Sequence, residues 1–501
     1  MSTYILAHDL GTSGDKATLF DREGRAVATS VGEYETDYPR PGWAEQDAAD
    51  WWRAVRESTR GLLERAQAAP GEVAVVSFSG MMNGALAVDA AGQPLRPAII
   101  WADQRATEEA DRLAERCGTE AVYRTTGHRP GAVYSAAKVL WIKRNQPDLY
   151  RKTARFLQVK DYAAWRLTGE FATDYSDASS TNLYDLEGHR WAEDIAGAVG
   201  LDIGKFPPLR ASDTVIGRVT ADAARATGLA EGTPVVIGGG DGACATVGAG
   251  SVQPGDAYNC LGSSSWIAVT ARRPLYDPEM RTFTFAHLDP ELYFPTGTMQ
   301  SAGGSLDWLE GLLRGDGEEG LHEQLCDAAA EAPPGAQGLL FLPYLMGERS
   351  PWWNPLARGA FVGLTRAHGR AEVARAVLEG VALNLRIILD ALRGQGIEID
   401  RMRLIGGGAQ NAAWRQILAD VYGLPLLRPA RTREATALGA AVAGGVGVGI
   451  FEDFDAAREI VRMEPCETPD PERRRAYAPL YELFCEAYQS LEPIFNRLAD
   501  Q

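Results

Sequence analysis

At 501 residues the chain is long enough for at least two domains, and 45% apolar with 23% charged residues is a soluble globular composition. Fifty lysines and arginines against 67 acids leave a net charge of −17, which argues against nucleic acid or an anionic membrane as the main partner. No apolar run nears the roughly eighteen residues of a membrane helix, and the six cysteines form neither a C-x-x-C pair nor a metal-type spacing. With a strand rather than a signal peptide at the start, a cytoplasmic enzyme with reduced thiols is expected.

The first element is an apolar strand from Tyr4 that delivers Asp9 into the turn Leu10-Gly-Thr-Ser-Gly14, and a second apolar run, Lys16 to Phe20, follows at once. Such a tip offers backbone N–H groups and hydroxyls to phosphate oxygens, while the adjacent carboxylate can hold a metal ion or its water. The same string is also an ordinary turn. A third strand spans Ala26 to Val31, and Asp47 caps a helix through Trp51, Val55 and Leu62 to Ala69, stopped by Pro70-Gly71. The strand Val73 to Ser79 leads into Gly80-Met-Met-Asn-Gly84 and another strand, Ala85 to Val88. Helices are expected near 106–116, 135–145 and 161–167. Three meandering strands followed by helix–strand units predict an α/β layer fold with a mixed sheet.

A buried strand at Val235 enters the turn Gly238-Gly-Gly-Asp-Gly242, and 248–255 reads as a crossing between domains. The second half opens with the strand Ala257 to Leu261, the turn Gly262-Ser-Ser-Ser265 and the strand Trp266 to Thr270, an echo of the first hairpin. A helix over 370–392 places Val373, Val377, Val381, Leu385, Ile388 and Leu392 on one face. The strand Met402 to Ile405, the turn Gly406-Gly-Gly-Ala409 and a helix over 411–422 follow, and 471–498 reads as a peripheral helix.

Five small-residue turns at strand ends, with acids at only two of them (Asp9 and Asp241), fit a phosphate-transfer cleft. Several longer strings point the same way. Gly359-Ala-Phe-Val-Gly-Leu364 followed after seven residues by Glu372-Val-Ala-Arg-Ala-Val-Leu-Glu379 resembles the C-terminal signature of the FGGY carbohydrate kinases. Lys138-Val-Leu-Trp-Ile-Lys-Arg-Asn145 is similar to their N-terminal signature, although Val133 departs from its first position. The turns at 9–13, 238–241, 261–264 and 405–408 occur in the family's order, and the nearest branch looks like the xylulokinases.

This resemblance implies two actin-like (ribonuclease H-like) lobes with mixed sheets flanked by helices and an ATP cleft between them, divided at 1–248 and 249–501. Asp241 matches the catalytic acid that accepts the proton of the attacking hydroxyl. Asp9 would hold Mg2+, and Gly11, Thr12, Ser13, Gly262, Ser263 and Ser264 would meet the phosphates. Lys16 either adds charge there or is a solvated strand residue. Gly407 and Gly408 would let the chain approach adenine, with Asn411 as a polar contact. Met82, Asn83 and Gly242 match sugar-contacting positions, but Asn83 stands where histidine is common and Gly242 where asparagine is. Trp101 is either an apolar wall of the sugar pocket or plain core, and Asp103 a hydroxyl acceptor. The expected activity is ATP-dependent phosphorylation of a small sugar or polyol, D-xylulose first, with ribulose, L-xylulose and tetritols as alternatives. A non-catalytic nucleotide-dependent protein on the same scaffold is the rival, and a homodimer is possible.

Overall fold

The computed structural model describes residues 4–314, 320–430 and 434–498. Each half of the chain builds one seven-stranded mixed sheet. In the first, Tyr4–Leu10, Gly14–Phe20 and Ala26–Glu33 form an antiparallel meander, and Val73–Gly80 then Pro234–Val236 continue parallel to the first strand. Val215–Arg218 closes the edge antiparallel, and Gly239–Gly240 runs beside Val73–Gly80. The second repeats this order with Ala257–Leu261, Ser265–Val269 and Tyr293–Met299 as the meander, followed by Met402–Ile405 and Leu426–Pro429 in parallel. Met463–Pro465 is its antiparallel edge. Two lobes of one topology are the actin-like arrangement.

Local signals explain the elements that frame the cleft. Asp47 accepts from the Ala49 amide at 2.8 Å and caps the helix Ala48–Ala66, which buries Trp51, Val55 and Leu62 against the first sheet. The helix Arg370–Arg393 buries Val377, Val381, Leu385, Ile388 and Leu392 in the second core. The C-terminal helix Pro471–Leu498 is less peripheral than its sequence suggests. Tyr477, Phe484, Tyr488 and Phe495 are buried, and the Tyr477 hydroxyl donates to Glu379 at 2.6 Å.

Two helices join the lobes. Asp241–Gly248 leaves the first sheet, and Ala435–Gly447, although in the second half of the chain, lies on strands Tyr4–Leu10 and Val73–Gly80 and crosses Asp241–Gly248. A Cβ at Gly439 would lie 2.0 Å from the Cys244 carbonyl oxygen, and one at Gly248 would lie 1.8 Å from that of Ala435. Backbone therefore meets backbone, and only glycine permits the approach. Gly439→Ala should cost about 1–3 kcal/mol of stability through overpacking. Thermal unfolding checks this, and an unchanged midpoint would mean the crossing has slack.

On the far side the lobes are tied along strand Phe283–Ala286. Tyr123 donates to the Thr282 carbonyl at 2.8 Å, the Thr284 amide to that of Gly127 at 3.1 Å, and the Ala286 amide to Ser179 Oγ at 3.2 Å. All six cysteines are free thiols, and no helix among the described residues is long and apolar enough to cross a membrane.

Candidate active site

Strand register brings the two acids together. Asp9 pairs with Ser79 and Leu10 with Gly80 across one strand boundary, and Gly239 and Gly240 pair with the same Ser79 and Gly80 across the next. Asp241 thus begins its helix about 10 Å, two strand spacings, from the end of the first strand. The charge of Asp9 reaches Asp241. Burial, then the charge of Asp9, pushes the Asp241 carboxyl up to about 7, against a hydrogen bond from the Gly242 amide. Burial also raises Asp9, although hydroxyls of Thr436 and Ser79 donate to it and favour its charged form.

Thr436 opens the helix on which the lobes cross, so Asp9 of one lobe is held by a hydroxyl from the other half of the chain. Two of the carboxylate's lone-pair sites are taken by Ser79 and Thr436, which leaves others free. Asp9 lines a cavity of about 1050 Å³ with Gly11, Ser13, Gly14 and Lys16. The residues present therefore suit a hydrated divalent cation next to phosphate.

The hairpin tips are built as matched pieces. The Gly11 amide donates to the Gly14 carbonyl and the Gly262 amide to that of Ser264, both at 3.0 Å, so the hydroxyls of Ser13, Ser263 and Ser264 stay exposed. The second tip is braced by the start of helix Gly303–Leu313: Gly303 and Gly304 amides donate to the carbonyls of Gly262 and Ser263 at 2.8 and 3.0 Å. A Cβ at Gly303 would sit 2.7 Å from the Gly262 oxygen. Trp101 is not core. It is 42% exposed, and its indole N–H donates to Thr12 Oγ1 at 3.0 Å, standing the ring beside the first tip.

Three expected roles change. Asp103 is fully buried, accepts the Ala44 amide at 2.6 Å and is gripped by Arg105, so it organises the loop rather than receiving a sugar hydroxyl. Lys16 spends its charge on Glu434, 2.8 Å away, at the start of the crossing helix, rather than standing free for phosphate. Asn411 accepts the Trp414 amide at 2.7 Å and caps helix Ala412–Tyr422, a structural role beside the polar contact expected of it.

The glycine turn after Met402–Ile405 borders a small cavity through its first glycine. A cavity of about 190 Å³ is lined by Gly406, Ala409, Gln410, Arg428, Pro429 and Ala435, not by Gly407 or Gly408. Gly406 has φ +91°, and its Cβ would strike the Leu261 carbonyl at 2.6 Å; Gly408 faces the Leu261 side chain.

Met82 packs over the turn that carries Asp241: Cβ atoms at Gly240 and Gly242 would lie 2.7 and 3.6 Å from its side chain. Asn83 has φ +66°, its carbonyl accepts the buried Lys138 ammonium at 2.7 Å, and its amide donates to Ser180 Oγ at 3.3 Å. Burial lowers Lys138 to about 7, with Asp103 acting in the opposite direction. The side-chain carbonyl of Asn83 is buried and has no partner, so it can accept a ligand hydroxyl. A Cβ at Gly242 would make only ordinary contacts with Met82 and Phe294, so this wall has room.

Comparison with known proteins agrees with the geometry. Residues 4–248 match the N-terminal domain, and 257–448 the C-terminal domain, of the FGGY family of carbohydrate kinases. A xylulose kinase of Escherichia coli (strain K12) is 36% identical over 488 residues, 97% of this chain and 99% of that protein. A gluconokinase of Bacillus subtilis (strain 168) is 29% identical over 508 residues, 100% and 98% of the two chains. The crystal structure of xylulose kinase from Rhodospirillum rubrum superposes with a TM-score of 0.92 at 32% identity, covering 98% of this chain and 100% of that one.

Proposed function

The chain belongs to the FGGY family of carbohydrate kinases and is a sugar kinase, and from that premise we propose that it moves the γ-phosphoryl group of ATP onto a hydroxyl of a ketopentose, D-xylulose first. The first lobe (1–248) supplies the sugar side and the base, and the second (249–501) the nucleotide cavity. In this reading Asp241 takes the proton of the attacking hydroxyl as its oxygen bonds to the γ-phosphorus and the bond to the β–γ bridging oxygen breaks, releasing ADP. Mg2+ held through water at Asp9 would draw charge from the β- and γ-phosphates. The tips at Gly11–Ser13 and Gly262–Ser264 orient the phosphate chain from opposite sides.

The observation that carries the reading is the placement of Asp241: strand register sets this acid about 10 Å from the end of the Asp9 strand, and burial with the charge of Asp9 raises it to about 7. A base poised near neutrality suits removal of a proton from an alcohol. Glycerol kinases carry an Arg-Glu pair where this chain has Met82-Asn83, so glycerol is disfavoured. Room at Gly242 leaves a longer substrate such as gluconate as the second reading, in line with the gluconokinase relative.

A coupled ADP assay over D-xylulose, D-ribulose, L-xylulose, pentitols, tetritols, glycerol and gluconate tests this. D-xylulose should show the largest kcat/KM, with glycerol lower by about tenfold or more, since an unpaired buried hydroxyl costs about 1–3 kcal/mol. A higher kcat/KM for gluconate or a polyol would overturn the ketopentose assignment.

A further inference from the structure

A buried polar network lies directly beneath the catalytic turn. Gly239 and Gly240 are tightly packed: a Cβ at the first would meet Leu288 at 2.2 Å and one at the second would meet Met82 at 2.7 Å. The pair runs as a short strand beside Ser79 and Gly80, and its end next to the base is held by a side chain as well. The Gly240 amide donates to Ser176 Oγ at 3.0 Å, within the short helix Tyr175–Ser179.

The direction of that hydrogen bond is set from below. Ser176 Oγ donates to Asp174 Oδ2, and a carboxylate can only accept, so the hydroxyl proton points down and a lone pair points up at the Gly240 N–H. Asp174 is itself fixed by the amide of Ser176 at 2.8 Å, the hydroxyl of Ser212 at 3.0 Å and the Lys160 ammonium at 2.9 Å. Lys160 is fully buried and also meets Asp161 at 2.7 Å and Asp177 at 3.3 Å. Burial works against its charge, but the three carboxylates outweigh that and hold the ammonium well above its usual range. Burial pushes the Asp177 carboxyl well up, which relieves the excess negative charge.

We propose that Ser176 is a positioning residue for Asp241: oriented by Asp174 and Lys160, its hydroxyl holds Gly240 and thereby fixes where the base meets the sugar hydroxyl. This rests on the reading of Asp241 as the base. The same serine-rich turn holds the Asn83 amide through Ser180 and the Ala286 amide of the other lobe through Ser179, so one element registers base, sugar loop and opposite lobe.

The test is steady-state kinetics of Ser176→Ala beside Ser212→Ala and Asp241→Asn, each with its melting temperature. Ser212 bonds the same Asp174 oxygen, is equally buried and does not touch Gly240. Ser176→Ala should lose about ten- to hundredfold in kcat, the scale of an ångström-sized misplacement, with KM for ATP and sugar within about twofold. Ser212→Ala should keep parental kcat whatever its stability. A parental kcat in Ser176→Ala, or an equal loss in Ser212→Ala, would overturn the proposal. If Ser176→Ala does not fold, Ser176→Cys carries the test: its sulfur is a far weaker acceptor for the Gly240 amide, so kcat should still fall, and a parental kcat counts against the role. An active Asp241→Asn would instead remove the reading of the base.

Discussion

Asp241→Asn should turn over sugar about 10²–10⁴-fold more slowly than the parent, because the amide keeps the shape but cannot take the proton. An ordinary aspartate is a weak base for an alcohol. Here burial and Asp9 raise the carboxyl to about 7, so the group is both a stronger base and still ionised in a useful fraction near neutrality. The stability sign is the reverse of the activity sign. A carboxyl raised above its unfolded value of 3.8 favours the folded state fully below that value, and this contribution is lost as pH rises through about 7. Removing the charge should therefore leave the melting temperature at pH 8 unchanged or higher. Sugar-dependent ADP release at parental rate would contradict the assignment; an unfolded variant would contradict the linkage.

Asp9→Asn should cost about 10²- to 10³-fold in kcat, the scale of losing one preorganised electrostatic contact to developing charge. Its second signature separates it from Asp241. The charge of Asp9 is one cause of the high Asp241 value, so neutralising it should move the acid limb of kcat/KM for the sugar below about 7. The Mg2+ concentration needed for half-maximal rate should rise, because the water-mediated anchor is gone. An acid limb and Mg2+ dependence both left in place would show that Asp9 acts on neither the base nor the ion. Ser79 and Thr436 would meet an amide that accepts through only one atom, so some misorientation accompanies the lost charge.

Much of the frame was legible because its signals are local. Helix Ser135–Asn145 and strands Ala257–Leu261 and Met402–Ile405 fall where apolar runs and glycine breakers place them. The turns carrying Asp9 and Asp241 were legible as small-residue strings at strand ends. What stayed hidden depends on partners distant in the chain. Asp103 looked like a hydroxyl acceptor because nothing in its own pentapeptide shows that it also binds the Ala44 amide, 59 residues earlier. Thr436 reaches Asp9 across 427 residues, and no pattern near 436 marks it. Asn411 is the cap of its helix, where the sequence alone puts it inside a helix over 411–422. Ser176 lies in the hydroxyl-rich run Asp174-Tyr-Ser-Asp-Ala-Ser-Ser-Thr181, which was a usable signal of a polar network. Its target, Gly240, was not.

The most direct measurement is a crystal structure of Asp241→Asn with a non-hydrolysable ATP analogue, Mg2+ and D-xylulose. The triphosphate should lie across Gly11–Ser13 and Gly262–Ser264, with a water-bridged ion at Asp9 and one sugar hydroxyl between residue 241 and the γ-phosphorus. A sugar bound away from residue 241, or a phosphate chain that bypasses Asp9, would contradict it.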